Sequence, residues 1–152
     1  DRSVSRGLGD VYKRQEYDSQ PGQRIEIHDS YAKWFTGWLP LWSMGSMTVI
    51  DYGAEMEYLY HRRPRGSLRG YKSHQVLSGE ELYSYPGRTD ITCDVNFTDL
   101  LELSRNCIGD RVTLATQRDY LLPYAEKTPQ DAFLTDEYGA GGHFQVLIHE
   151  RL

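Results

Sequence analysis

The chain has 152 residues, 39% apolar and 26% charged, a balance that fits a folded globular domain and excludes a disordered or fibrous chain. Its formal net charge is −5, and no apolar run approaches the ~20 residues needed to span a bilayer, so neither general nucleic-acid binding nor a membrane-spanning role is expected. Cys93 and Cys107 are the two cysteines; with no histidine at ligand spacing they read as reduced, partly buried side chains, and no metal site is expected.

Residues 1–15 (DRSVSRGLGDVYKRQ) show no periodicity of either kind, and residues 10–15 resemble the conceptual translation of a sequencing adaptor. The alternative is a basic, disordered N-terminal arm. Either way the fold is sought in residues 16–152, which carry 13 Lys+Arg against 20 Asp+Glu, or −7.

Residues 23–28 (QRIEIH) alternate polar and apolar and predict a short strand. Asp29 or Ser30 then caps a helix whose apolar positions Tyr31, Trp34, Phe35 and Trp38 follow the spacing of one buried face, with Pro40 at its end. Residues 47–52 (MTVIDY) form a nearly continuous apolar run before Gly53, which predicts a strand buried on both faces. Its polar end, Asp51 and Tyr52, lies where open α/β sheets place their ligands.

Residues 54–91 read as a long excursion with short strands, holding Arg62, Arg63, Arg65, Arg69 and His74 before a Pro86-Gly87 turn. Asn96 caps a second amphipathic helix, with Phe97, Leu100, Leu101, Ser104 and Ile108 on one stripe and Gly109 as its stop. Residues 111–115 (RVTLA) predict a strand, residues 119–125 a short helical turn, and residues 144–149 (FQVLIH) the last strand. The order gives an α/β fold whose final strand pair lacks a long helix between its members.

Five ordered blocks carry a family resemblance: MTVIDYG, RGSLRGYKSH, PGRTDITCDVNFTDL, ATQRDYLL and GGHFQVLIHERL, with RIEIHDSYAKWF as a lead-in. Together they resemble the MidA-like methyltransferases, a family that includes the mitochondrial arginine methyltransferase required for complex I assembly. The resemblance covers roughly residues 20–152. Ser67 stands where threonine is usual, Cys93 where alanine is, and Asn96 where aspartate is.

The resemblance implies the C-terminal part of a class I, Rossmann-like methyltransferase sheet. Its fifth, seventh and sixth strands would lie side by side as residues 47–52, 144–149 and 111–115, with flanking helices and a long insertion after the fifth. The cofactor implied is S-adenosyl-L-methionine, yet the Gly-rich turn that grips it has no counterpart here. Gly139-Ala140-Gly141-Gly142 leads into a strand instead of following one. The expectation is therefore a fragment lacking the cofactor-binding N-terminal half of its own domain, inactive alone and with no cofactor-binding residue. The fifth strand would keep an unpaired edge where the fourth belongs.

For a protein guanidinium as acceptor, carboxylates should hold the planar fork. The matched blocks then offer Asp51, Asp90 and Asp94 as catalytic acids and His74 as a proton acceptor. Tyr52, Arg69, Tyr71 and Thr92 would bind substrate, Arg69 with the alternative of pairing one of the acids. Asp90 has the alternative of a turn-stabilising acid, Asp94 of a local partner for Arg88, and His74 of a structural or exposed histidine. A protein substrate is the partner expected, in the cytoplasm for a bacterial source and in mitochondria for a eukaryotic one. The competing functions are a non-catalytic interaction module and a small-molecule methyltransferase of the same fold.

Overall fold

The computed structural model describes residues 20–109 and 111–151; the segment 1–15 lies outside them. Residues 23–28 contribute one isolated bridge, Arg24 to Arg65, where a strand is predicted. Glu26 explains the departure, because it is committed to a distant turn described below. The first helix, α1 (Asp29–Trp38), starts after His28, with no side-chain cap from Asp29 or Ser30, and runs into a 3-10 turn at Leu39–Leu41 that holds Pro40. Ala32 and Phe35 are its buried residues, Tyr31 and Trp38 are partly buried, and Trp34 stays exposed.

Strand β1 (Gly45–Ala54) leads to α2 (Met56–Arg62), β2 (Arg69–Lys72), β3 (Gln75–Leu77), β4 (Asp90–Thr92), β5 (Val95–Asn96) and α3 (Phe97–Ile108). Next come β6 (Val112–Thr116), α4 (Gln117–Leu121), α5 (Pro129–Thr135), α6 (Ala140–His143) and β7 (Phe144–Arg151). Helix α2 falls inside the stretch read as an irregular excursion; Met56, Leu59 and Tyr60, its buried residues, keep helical spacing.

The main sheet has the order β5-β1-β7-β6, which brings the three expected neighbours together. β7 runs antiparallel to both β1 and β6, and β5 runs parallel to β1. One face of the sheet is covered by α1 and α3. There Phe35, Phe97, Leu100, Val112 and Leu147 form the core, with Met47, Val49 and Leu114 packed against it. His149 is fully buried among them; its Nε2 lies 2.9 Å from Ser104 Oγ, and burial lowers its pKa. Its Nδ1 faces the Met47 carbonyl at 3.4 Å, and the Ser104 hydroxyl also reaches the Leu100 carbonyl, so the ring is tied to β1 and α3 at once.

The opposite face of β1 is open, contrary to a strand buried on both sides. Ile50 and Tyr52 are each 49% exposed, while Met47 and Val49 face the core. The outer edge of β1 is also not wholly unpaired as expected. β5 covers it at Gly53 and Ala54, and among the described residues the strand from Gly45 to Tyr52 has no partner on that side.

Asn96 caps α3 as its sequence suggests, accepting the amide protons of Thr98 and Asp99, and Gly109 ends the helix at φ 90°. Three short helices, α4 to α6, replace a long crossover between β6 and β7. Gln117 braces them, donating to the Leu134 carbonyl at 3.0 Å. Cys93 is partly buried, but Cys107 on α3 is exposed rather than partly buried.

Candidate active site

A second, small sheet of order β3-β2-β4 stands beyond the carboxyl end of β1. Its hairpin turns at Ser73 and His74, both with positive φ, 47° and 65°. That pair of left-handed residues is the geometry of a tight two-residue hairpin turn. Arg69 lies opposite Thr92, and Tyr71 opposite Asp90, so these four side chains share one face of the small sheet.

Between this face, α2 and the carboxyl end of β1 lies a pocket of about 220 Å³. β1 supplies Tyr52, Gly53 and Ala54; α2 and its end supply Tyr58, Leu59, Arg62 and Arg63. Arg69, Tyr71 and Asp94 close one side, and Gly142, His143 and Gln145 the other. Tyr52 is itself packed on Phe144, ring centroids 3.8 Å apart.

Among the described residues Asp94 is the sole carboxylate lining the pocket, and it is 9% exposed. Its Oδ1 accepts from Arg69 Nη1 at 2.7 Å, and its Oδ2 lies 3.5 Å from Arg63 Nε. The partner is therefore not Arg88; the chain folds Arg69 across from β2 instead. Arg69 also donates to the Tyr71 hydroxyl at 3.1 Å and to the Ser67 carbonyl at 3.0 Å. Burial alone would lower the Arg69 pKa, but the hydrogen bonds to Asp94 and Tyr71 outweigh it and the net direction is up.

The Asp94 amide is held in turn by Ser67 Oγ at 3.0 Å. Ser67 and Leu68 donate their amides to Glu26 Oε1 at 2.7 and 3.2 Å, and the Ser67 hydroxyl donates to Glu26 Oε2 at 3.3 Å. Glu26 thus fixes the Arg-Gly-Ser-Leu turn that carries Arg69 toward the pocket. Burial, reinforced by Glu26, raises the pKa of Tyr60, whose hydroxyl accepts the Glu26 amide proton at 3.0 Å. Burial first, then Glu26 and Asp94, likewise pushes the Cys93 thiol up.

The remaining expected residues are spread out. Asp51 is exposed outside the lining, with its carboxylate accepting the Tyr52 amide proton at 2.7 Å. Asp90 and Thr92 share the face of Arg69 and Tyr71 without lining the pocket, and His74 is exposed at the hairpin tip. Of the lining side chains that carry polar chemistry, Tyr58, Arg62, Arg63, His143 and Gln145 went unforeseen as site residues. Gln145 lies opposite Asp51 in the β1–β7 register, a pairing legible only once those strands are known to be neighbours. His143 Nδ1 lies 2.8 Å from the Gly139 carbonyl, which assigns the proton to Nδ1 and leaves Nε2 as an acceptor in the neutral ring. Among the described residues no group of His, Cys, Asp and Glu could hold a metal ion.

This arrangement sits at the carboxyl end of a strand in an α/β sheet, and residues 2–115 match the family described as "Putative S-adenosyl-L-methionine-dependent methyltransferase". The chain belongs to this methyltransferase family. S-adenosyl-L-methionine is the family's cofactor. Two solved structures from Burkholderia thailandensis, both of one superfamily, share the fold. One, an uncharacterized protein, is 24% identical with a TM-score of 0.70, the match covering 94% of this chain and 42% of that one. The other, a "likely methyl transferase" bound to S-adenosyl-homocysteine, is 24% identical with a TM-score of 0.68 over 94% of this chain and 41% of that one. The chain therefore spans about two-fifths of the length of these structures. No curated protein matches the sequence.

The Gly139–Gly142 segment does not form a strand-to-helix turn that could cradle a sulfonium cofactor. The Gly-rich segment forms α6 ahead of β7, and a Cβ at Gly142 would collide with the Glu137 carbonyl oxygen, so the space beside it is filled by its own chain. Nor does any described helix have the length and apolarity to cross a membrane.

Proposed function

We propose that residues 16–152 form the acceptor-side part of an S-adenosyl-L-methionine-dependent methyltransferase of the MidA-like group, with the donor-gripping strands and Gly-rich turn on another part of the same domain. The observation that carries this reading is the pocket at the carboxyl end of β1, in a sheet that sets β1, β7 and β6 side by side. Family membership, the 42% coverage of a similar structure and the S-adenosyl-homocysteine bound in the other support it. Residues 1–15 remain proposed as adaptor-derived, a point the nucleotide sequence around residue 15 decides.

Methyl transfer asks the protein chiefly to align donor and acceptor and to exclude water. Here Tyr52, Tyr58 and Tyr71 wall the pocket, Arg69 and Asp94 hold each other rigid, and His143 Nε2 can take a proton. Asp51, Asp90 and Thr92 stay proposed as binding groups outside the lining, and His74 is too far out on its hairpin to share it. The arginine-directed activity that the resemblance implies needs carboxylates free to hold a guanidinium. Both Asp94 oxygens already face arginines, so in the arginine-directed reading Asp51 and Asp90 are the carboxylates left to hold a guanidinium. The bacterial origin of both similar structures favours the cytoplasm, with mitochondria the counterpart in a eukaryote.

Two measurements test this. Protein purified from its native source, incubated with methyl-labelled S-adenosyl-L-methionine and cell extract, should label polypeptide. Label confined to small molecules would move the acceptor class, and no label at all would sink the activity. Calorimetric titration of the 152-residue chain with S-adenosyl-homocysteine should show no binding; a tight isotherm would overturn the division of labour.

A further inference from the structure

We propose that the pocket at the carboxyl end of β1 is an oxyanion site, in which Arg62 with Arg63 beside it takes a carboxylate or phosphate group carried by the acceptor. The word acceptor rests on the methyltransferase reading; the binding itself does not.

The inference begins with charge. Among the described residues, three guanidinium groups line the pocket, those of Arg62, Arg63 and Arg69, against the single carboxylate of Asp94. Asp94 is shared by Arg69 and Arg63. Arg62 pairs with no acid among the described residues. Its Nη1 lies 3.4 Å from the Tyr58 hydroxyl and its Cζ 5.3 Å from the centre of that ring. A guanidinium presents five N–H donors in a flat fork, so most of Arg62's donors are left for a ligand. Tyr58 steers the group by its ring face and hydroxyl without neutralising it.

Size and access narrow the ligand. A pocket of about 220 Å³ is smaller than the roughly 300 Å³ at which sites for drug-sized molecules begin, so it suits one side chain or head group. Arg62 itself is exposed, which leaves the site reachable from solvent. A carboxylate or phosphate would complete bidentate, charge-assisted hydrogen bonds there, whereas a lysine or arginine side chain would meet uncompensated positive charge.

The test titrates the 152-residue chain with four probes: a short glutamate peptide with blocked ends, its glutamine and arginine counterparts, and inorganic phosphate. The glutamate peptide should bind, the glutamine and arginine peptides should not, and binding should weaken in high salt. Phosphate binding without glutamate binding would identify the source of the oxyanion as a phosphate. Arg62→Gln alters an exposed residue with no structural partner beyond Tyr58, and should weaken the bound anion about tenfold. Arg88→Gln, a change of equal charge outside the lining, should leave it unchanged. A glutamine peptide that binds as tightly as a bound glutamate peptide, no binding of either anion, or an Arg62→Gln titration matching the parent would each overturn the site. Oxyanion binding without methyl transfer by the source-purified protein would sink the enzymatic reading alone; transfer without oxyanion binding would sink this inference alone.

Discussion

At the scale of single residues, the three aspartates in the family blocks have unequal surroundings. Asp51 is exposed and occupied by its neighbour's amide, and Asp90 is exposed on a strand of the small sheet. Asp94 is 9% exposed and joins two guanidinium groups to the Ser67 turn. Removing its charge strands Arg69 in a partly buried place, which is costlier than losing a surface ion pair. Asp94→Asn should therefore lower unfolding free energy by about 2 kcal/mol, discounted from the cost of a fully buried pair because Arg63 is half exposed. Asp51→Asn and Asp90→Asn should each change it by less than about 0.5 kcal/mol, as expected of surface positions. Urea melts of the three variants decide the matter, and equal losses would show that Asp94 holds nothing together. What the sequence conceals at this scale is Glu26. It sits in an alternating run that reads as strand, and its partners Ser67 and Leu68 lie more than 40 residues away, so no local pattern announces them.

At the scale of elements, legibility follows burial on one clean face. Helix α3 shows its buried stripe, its Asn96 cap and its Gly109 stop in sequence, because each has a local physical cause. Helix α2 does not, since seven residues give one apolar triplet before Arg62, Arg63 and Pro64 break the pattern. Strand β1 reads correctly as a strand and wrongly as doubly buried. Its apolar run records the chemistry of both faces, not whether this chain covers both. The β2–β3 hairpin is legible only as short strands, because Ser73 and His74 are unusual occupants of its turn. Positive φ at both positions favours Asn followed by Gly. The double change Ser73→Asn with His74→Gly should raise stability by about 0.5 kcal/mol or more, by removing left-handed strain from residues with a Cβ. The same variant bears on His74 as a proton acceptor. Methyl transfer by the complete protein should survive it, and a loss of turnover with a raised melting temperature would restore His74 to the chemistry.

At the scale of the whole molecule, the main sheet presents a flank it does not cover. On β1, Ile50 and Tyr52 are each half exposed on the face away from α1 and α3. Along the outer edge of the same strand, among the described residues, β5 satisfies backbone groups only at Gly53 and Ala54. A strand edge with open donors and acceptors recruits another strand, and an apolar face beside it strengthens the contact. The 152-residue chain should thus self-associate at concentrations of about 100 µM, in the range where exposed edges and apolar surface drive association. Sedimentation velocity would read this directly as a mass that rises with concentration. Ile50→Lys places a charge in the middle of the exposed face without touching the core formed by Phe35, Phe97 and Leu147, and should restore a monomer. S-adenosyl-homocysteine should not disperse the associated form, since the chain is expected not to bind it. A parent chain that stays monomeric across the range would mean the β1 flank is already satisfied, and the place reserved for a donor-side strand would be gone.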